Sequence, residues 1–269
     1  MKKYNSKKNI WLMGGFGNVL FQILAFNVLS KNNNSIFFVN VLTKKNMITK
    51  FIGWTIHESL YDNLIDEKKI QAMGFFKSLI IIMTGFISKK LNLKFKLSTF
   101  YSSSVKIDEK LCNNIFGYFQ YNEFLKKNQD ELLQFGNRLR LKYALKQKHP
   151  IVVHYRKGDS GWAQKNSYYY DEIKKMLTKE VLPVLIVTDS LKDAKYFFSE
   201  LQNTSILSSI NALEDFKHLI STEKLYCAPS TFSWWAAHSL SPDSEIIIPK
   251  FFQKNLGIFV KSNKLTIIQ

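Results

Sequence analysis

Two cysteines, Cys112 and Cys227, are all that the 269 residues contain, and they stand far apart. That spacing excludes a disulfide scaffold and every metal site built on paired thiols, and it implies free thiols in a reducing compartment. No Asp-x-Asp pair is present to hold a divalent cation, and no complete Gly-x-Gly-x-x-Gly occurs. The N-terminal apolar run is about five residues, short of the roughly 7–15 of a secretory core, so the expected location is the cytoplasm. With 11 glycines and 5 prolines, neither is dense enough for a long disordered tract. Arginine is scarce too: Arg138, Arg140 and Arg156 are the only three among 38 basic residues. Where lysine is the default cation, each arginine marks a place where a planar fork of donors has a use.

What is present is a chain that is 46% hydrophobic, enough for a sizeable core in one large or two small domains. Its charge is lopsided. Residues 1–149 hold 24 Lys and Arg against 9 Asp and Glu, a balance of +15, and the remainder is close to neutral. The excess reads either as a face turned to an anionic partner or as a solvated lysine-rich surface. The longest apolar stretch, Met73–Ser88, is followed by Lys89 and Lys90 and interrupted by Lys77. It falls short of the ~20 residues that span a bilayer. It therefore reads as a buried helix or as a patch lying in a membrane surface with its lysines on headgroups.

The opening of the chain has a β–loop–α–β rhythm. A strand is expected at Asn9–Met13, then Gly14-Gly15-Phe16-Gly17-Asn18, a helix over Val19–Ser30 capped by Asn18, and a strand at Ser35–Asn40. Residues 41 to 148 are less regular, with an amphipathic helix expected near Glu123–Lys148. From His149 the alternation is plain. Strands are expected at Ile151–Tyr155, Val184–Thr188, Ser205–Leu207, Leu225–Ala228 and Glu245–Ile248, with helices between them. This predicts an α/β fold in two domains, 1–148 and 149–269, with mostly parallel sheets covered on both faces. Ligands of such sheets sit beyond the carboxyl ends of the strands.

Four constellations fall at such ends. The Gly14–Asn18 turn suits either a tight strand-to-helix connection or close approach of backbone to a phosphate. His154-Tyr155-Arg156-Lys157-Gly158-Asp159 leaves a buried strand with a fork, a point charge and a glycine, a set suited to a diphosphate or to a structural turn with an incidental Arg–Asp pair. Thr188-Asp189-Ser190 ends another strand, where Asp189 could accept from ribose hydroxyls or guanine N–H groups, or simply cap the next helix. Ser230-Thr231-Phe232-Ser233 puts hydroxyls at a helix N-terminus, with Trp234 and Trp235 read as packing residues just inside.

In this order and at these separations the four pieces resemble the α-1,2-fucosyltransferases of glycosyltransferase family 11. The likeness lies in Gly14, Gly15, Gly17, Asn18, Phe21 and Gln22; in His154, Arg156 and Asp159; in Thr188-Asp189; and in Ser230–Trp235. It implies a GT-B-like architecture of two Rossmann-like α/β domains facing across a cleft. It also implies inverting, metal-independent transfer of L-fucose from GDP-β-L-fucose to a glycan hydroxyl in surface-polysaccharide or O-antigen synthesis, with no cofactor. By the same likeness, Arg156 would neutralise the β-phosphate. Ser230, Thr231 and Phe232 would contact the diphosphate, His154 and Asp189 the nucleoside, Thr188 the donor beside them, and Gly14, Gly15, Gly17, Asn18 and Gln22 the donor from the other domain. Asp159 stands as the residue orienting Arg156 or as catalytic base, and a loose, oxocarbenium-like transition state assisted by the leaving phosphate is the alternative to a carboxylate base. The N-terminal domain would face the acceptor, galactose-bearing and linked to a lipid pyrophosphate, at the inner face of the membrane.

The chain departs from the pattern at Lys157, where the family has a second Arg, and at Val19, Ser190 and Ala236. These put the sugar and the acceptor in question, so another GDP-hexose remains open as donor. A basic nucleic-acid-binding protein is the reading from another class, but the lysines of the first half form no organised aromatic-basic array.

Overall fold

The computed structural model describes residues 7–31, 35–43, 46–51, 64–93, 95–101, 113–157, 167–208, 211–250, 252 and 264–268. Two compact units divide between Glu131 and Leu132. The sequence rhythm places its boundary later, at 148/149. The helix in between goes with the second unit because Gly136 lies directly against the backbone of His238 and Phe135 packs edge-on against Trp235.

The first unit holds a four-stranded parallel sheet. Its strands are β1 (Lys8–Trp11), β2 (Ile36–Val39), β3 (Ser98–Tyr101) and β4 (Asn114–Gly117), in the order β2-β1-β4-β3. Helix α1 (Phe16–Ser30) follows β1, and α2 (Met47–Phe51) and α3 (Phe75–Leu91) precede β3. The mixed middle of the sequence thus hides two strands, each only four residues long and too short to show a period. Trp11, Phe116, Ile81 and Ile82 form the core between sheet and α3. Helix α1 begins at Phe16, three positions before the expected start. Gly15 is its N-cap, and Asn18 lies inside the first turn rather than capping it.

After α4 (Asn122–Lys127) and α5 (Gln129–Tyr143), the second unit is a six-stranded parallel sheet. Its strands are β5 (His149–Tyr155), β6 (Val184–Thr188), β7 (Thr204–Leu207), β8 (Thr222–Tyr226), β9 (Glu245–Pro249) and β10 (Leu265–Ile268). Between them run α6 (Ser167–Leu177), α7 (Leu191–Phe197), α8 (Ala212–Leu219) and α9 (Thr231–Ser239). The order is β10-β9-β8-β5-β6-β7, so the first strand is central and the chain winds outward on one side and then the other. This is the doubly wound Rossmann order. β5 is buried across Ile151–Tyr155 because both its faces are covered, and it reads accordingly as a continuous apolar run. Tyr169, Tyr170, Ile173 and Leu177 give α6 one apolar stripe against it. Helix α9 is buried from Phe232 to Ser239, and Trp234 and Trp235 are core residues.

Among the described residues no helix is long and apolar enough to cross a membrane. Cys227 is free and buried, and Cys112 lies outside the described residues.

Candidate functional site

The reversal of strand order in the second unit falls between β5 and β8, and a crevice opens at such a point beyond the strand ends. His154, Arg156, Asp189 and Ser230–Ser233 all lie at that end of the sheet, brought there by β5, β6 and the β8–α9 connection.

Side chains of β5 alternate between faces. Tyr155 points into the core shared by α6 and α7, where it meets Tyr170 and Phe198 edge-on. His154 points the other way, beside Phe232 with ring centroids 5.4 Å apart. Its Nδ1 lies 2.5 Å from Ser233 Oγ, and that oxygen also accepts the N–H of Ala228 at 2.9 Å. One hydroxyl therefore ties the end of β5 to the loop that opens α9. Burial, together with the charge of Arg156, holds the imidazole of His154 down at about 3, so it is neutral at ordinary pH. At the helix start, Ser230 is the N-cap, and its hydroxyl accepts the N–H of Ser233 at 3.2 Å.

Arg156 is the first residue past β5. Its peptide is gripped from α6: the N–H donates to Tyr170 Oη at 3.0 Å, and the same hydroxyl donates to the carbonyl of Arg156 at 3.2 Å. The guanidinium is set from β6. Asp189 Oδ2 lies 3.8 Å from Arg156 Nε, while Asp189 Oδ1 accepts the N–H of Lys157 at 3.0 Å. A single carboxylate thus bonds the chain and stands beside the cation. Lys157 Nζ lies 3.5 Å from Asp193, whose other oxygen accepts the hydroxyl proton of Ser190; that bond, more than the lysine, holds the Asp193 carboxyl below its usual range. Thr188 is buried, and its Oγ1 accepts the N–H of Ser190 at 2.9 Å.

Asp189, expected at a nucleoside, lies beside Arg156 and keeps a side chain that is 37% exposed. Asp159, the candidate for orienting Arg156, lies outside the described residues, as does Gly158. Tyr170 and Asp193 join this cluster without a place in any of the four sequence constellations. The run Tyr168-Tyr169-Tyr170 at the start of a helix was the one available signal for the first of them.

In the first unit the glycine turn follows β1, again where strand order reverses. Gly14 has a positive φ of 81°, and a Cβ there would stand 2.5 Å from Asn18 Nδ2 and 3.1 Å from Tyr118. Glycine is thus required twice over, by conformation and by space. Gly15 and Gly17 lie in the same turn, and Asn18 Oδ1 accepts from Gln120 Nε2 at 2.7 Å. Gln22, expected at the donor, is fully buried. Its Oε1 accepts the N–H of Met13 at 3.0 Å, and its Nε2 donates to the carbonyls of Met13 (3.2 Å) and Gly117 (3.1 Å). Its amide is occupied with backbone, so it shapes the turn and has little left to offer a ligand. Among the described residues no group of three His, Cys, Asp or Glu is placed to hold a metal ion.

No protein-family model matches the chain, and no curated protein does. Solved structures do. The E. coli heptosyltransferase WaaC with ADP aligns over 98% of this chain and 93% of its own, at 9% identity and a TM-score of 0.54. The fold is shared. It is a mixed α/β fold with parallel, Rossmann-like sheets of the GT-B glycosyltransferase type. Two further similarities are weaker. Fucosyltransferase NodZ from Bradyrhizobium aligns over 87% of this chain and 93% of its own, at 12% identity and a TM-score of 0.43. A glycosyl transferase family 9 protein from Veillonella parvula aligns over 100% and 88%, at 7% and 0.46.

Proposed function

We propose that this protein is an inverting glycosyltransferase that uses a GDP-sugar, with GDP-β-L-fucose as donor and a glycan hydroxyl, α-1,2 to galactose, as acceptor. The observation that carries the reading is Arg156, its peptide gripped by Tyr170 and its guanidinium beside Asp189, at the switch point of a Rossmann sheet and at the same end as the N-terminus of α9. A guanidinium with five donors suits the charge that builds on the β-phosphate as the sugar leaves. The hydroxyls of Ser230 and Thr231 and the N–H groups of the first turn of α9 would share that anion. His154, being neutral, adds no competing charge and is too weak a base at pH 7 to take the acceptor's proton. It acts here by fixing Ser233 and the start of α9. The C1–O bond to the phosphate breaks as the acceptor oxygen attacks from the opposite face. The proton of that hydroxyl then passes to Asp159 or to an oxygen of the departing phosphate. Fucose as the sugar, the α-1,2 linkage, surface-polysaccharide assembly and metal independence rest on the family resemblance.

Calorimetry with GDP and with ADP, the nucleotide held by the heptosyltransferase, tests the donor. Saturable binding of GDP, at least tenfold tighter than ADP, is expected. GDP release from GDP-fucose should continue in EDTA. Arg156→Lys, which keeps the charge but loses the fork, should lower turnover by about 10²–10³. If GDP did not bind, or if Arg156→Ala turned over normally, the reading would be lost.

A further inference from the structure

Helix α3 is apolar on both sides, and only one side is covered. Ser78, Ile81, Ile82, Gly85 and Ser88 are buried on the inner face, where Gly85 comes so close to Phe116 and Ser98 that a Cβ would lie 3.0 Å from each. At roughly 100° per residue, positions 76, 80, 83, 87 and 91 fall together on the opposite face. They are Phe76, Ile80, Met83, Ile87 and Leu91, with relative exposures of 77%, 58%, 56%, 47% and 55%. Single exposed apolar side chains are ordinary on a soluble surface, but a continuous stripe of five large ones marks a contact. Leu93 and Leu97 extend it past the end of the helix.

The charge around the stripe says what the contact is. Lys77 and Lys90 lie to either side of it on the helical projection, and Lys89 and Lys96 are exposed nearby. From Lys68 to Lys106 the sequence has lysines throughout and not one Asp or Glu. Two copies meeting through this face would set lysine against lysine, an arrangement that opposes association. An anionic headgroup layer supplies both things the face lacks, negative charge at the flanks and an apolar phase between them. Seventeen residues make a helix about 25 Å long, which suits lying in the interface plane.

We propose that the outer face of α3 docks this protein on an anionic lipid bilayer, with Phe76, Ile80, Met83 and Ile87 entering the headgroup–acyl boundary and Lys77 and Lys90 on lipid phosphates. Two weak signals, apolar insertion and basic attraction, together give reversible attachment. The proposal stands apart from the donor chemistry, since vesicle binding is read without nucleotide.

The test is co-sedimentation of the full chain with phosphatidylcholine vesicles, pure or containing about one-third phosphatidylglycerol, at ~0.15 M and ~0.5 M salt. Binding is expected to the anionic vesicles only, weakened several-fold at high salt. The variant Ile80→Gln/Met83→Gln/Ile87→Gln alters only exposed positions and should melt like the wild type, keep its affinity for GDP, and lose at least about tenfold in vesicle affinity. Lys77→Gln/Lys90→Gln should lose several-fold. Equal partitioning to neutral vesicles would overturn the proposal, as would unchanged binding by the triple glutamine variant. So would sedimentation of the wild type as a dimer that this variant dissolves, which would assign the face to a second copy.

Discussion

Gly136 sits inside α5, where alanine would normally be preferred by about 1 kcal/mol. Its reason lies across the interface. A Cβ at this position would stand 2.3 Å from the carbonyl oxygen of His238 and 3.1 Å from its carbon. Those are backbone atoms of α9, which no rotamer change can withdraw. Gly136→Ala therefore requires α5 to retreat by about 1 Å. That movement loosens the contact of Phe135 with Trp235, now 5.3 Å between centroids, and stretches the 3.2 Å bond from Arg140 Nη1 to the carbonyl of Leu240. Overpacking costs ~1–3 kcal/mol and a weakened charged hydrogen bond about 1 more. Set against the propensity gain, the net loss is about 1–3 kcal/mol. At roughly 2–4 °C per kcal/mol, the melting temperature should fall by roughly 2–12 °C. Thermal melts by circular dichroism would show it, with Gly74→Ala as control, because nothing lies within 4 Å of a Cβ there. A Gly136→Ala protein that melted at or above the wild type would refute the argument, since propensity would then have outweighed contact.

Acid should weaken the fold well above the carboxylate range. Burial holds His154 down at about 3 and His238 at about 4, and the partial burial of His149 and His218 lowers them as well. Below about pH 6.5 the unfolded histidines bind protons that the folded ones refuse. Stability is therefore full above that pH and declines as pH falls, by about 2 kcal/mol at pH 5 for each of His154 and His238. A melting temperature flat between pH 7 and 5 would contradict this, and His238→Gln should flatten the curve in part. Gln22→Ala should cost about 2–4 kcal/mol in urea titration, because it strands the buried N–H of Met13 and the carbonyl of Gly117. Gln22→Met restores the volume but not the bonds and should not rescue; if it does, the residue acts by packing alone.

Much of the second unit was legible because β5, β6 and β9 are dense apolar runs and α6 and α8 have clear stripes; β10, four residues at Leu265–Ile268, was not among the expected strands. Parallel strands buried on both faces need no alternation, and Ile151–Tyr155 and Val184–Thr188 stand out from composition alone. β3 and β4 escaped for the converse reason. Four residues such as Ser98–Tyr101, half polar and flanked by lysines, owe their conformation to their neighbours rather than to their own pattern. At the candidate site, residue types were readable but their duties were not. Asp189 was visible as a carboxylate at a strand end, yet only the pairing of β5 with β6 brings it beside Arg156. Gln22 looked like a polar group available to a ligand, and three backbone bonds show otherwise. The exposed stripe on α3 was likewise ambiguous, since an all-apolar helix gives no sign of which side the sheet will cover.

The central position of β5 sets a timetable for synthesis. It is the first strand of its sheet to be made, yet one of its two partners, β8, follows far behind; the bond from Thr222 to His149 spans 73 residues. At roughly 5–20 residues per second the apolar strand waits about 4–15 s with one edge open. During that interval it is a template for any other extended chain. The edge on which the site depends is thus open while the chain is still on the ribosome, before the site it builds exists.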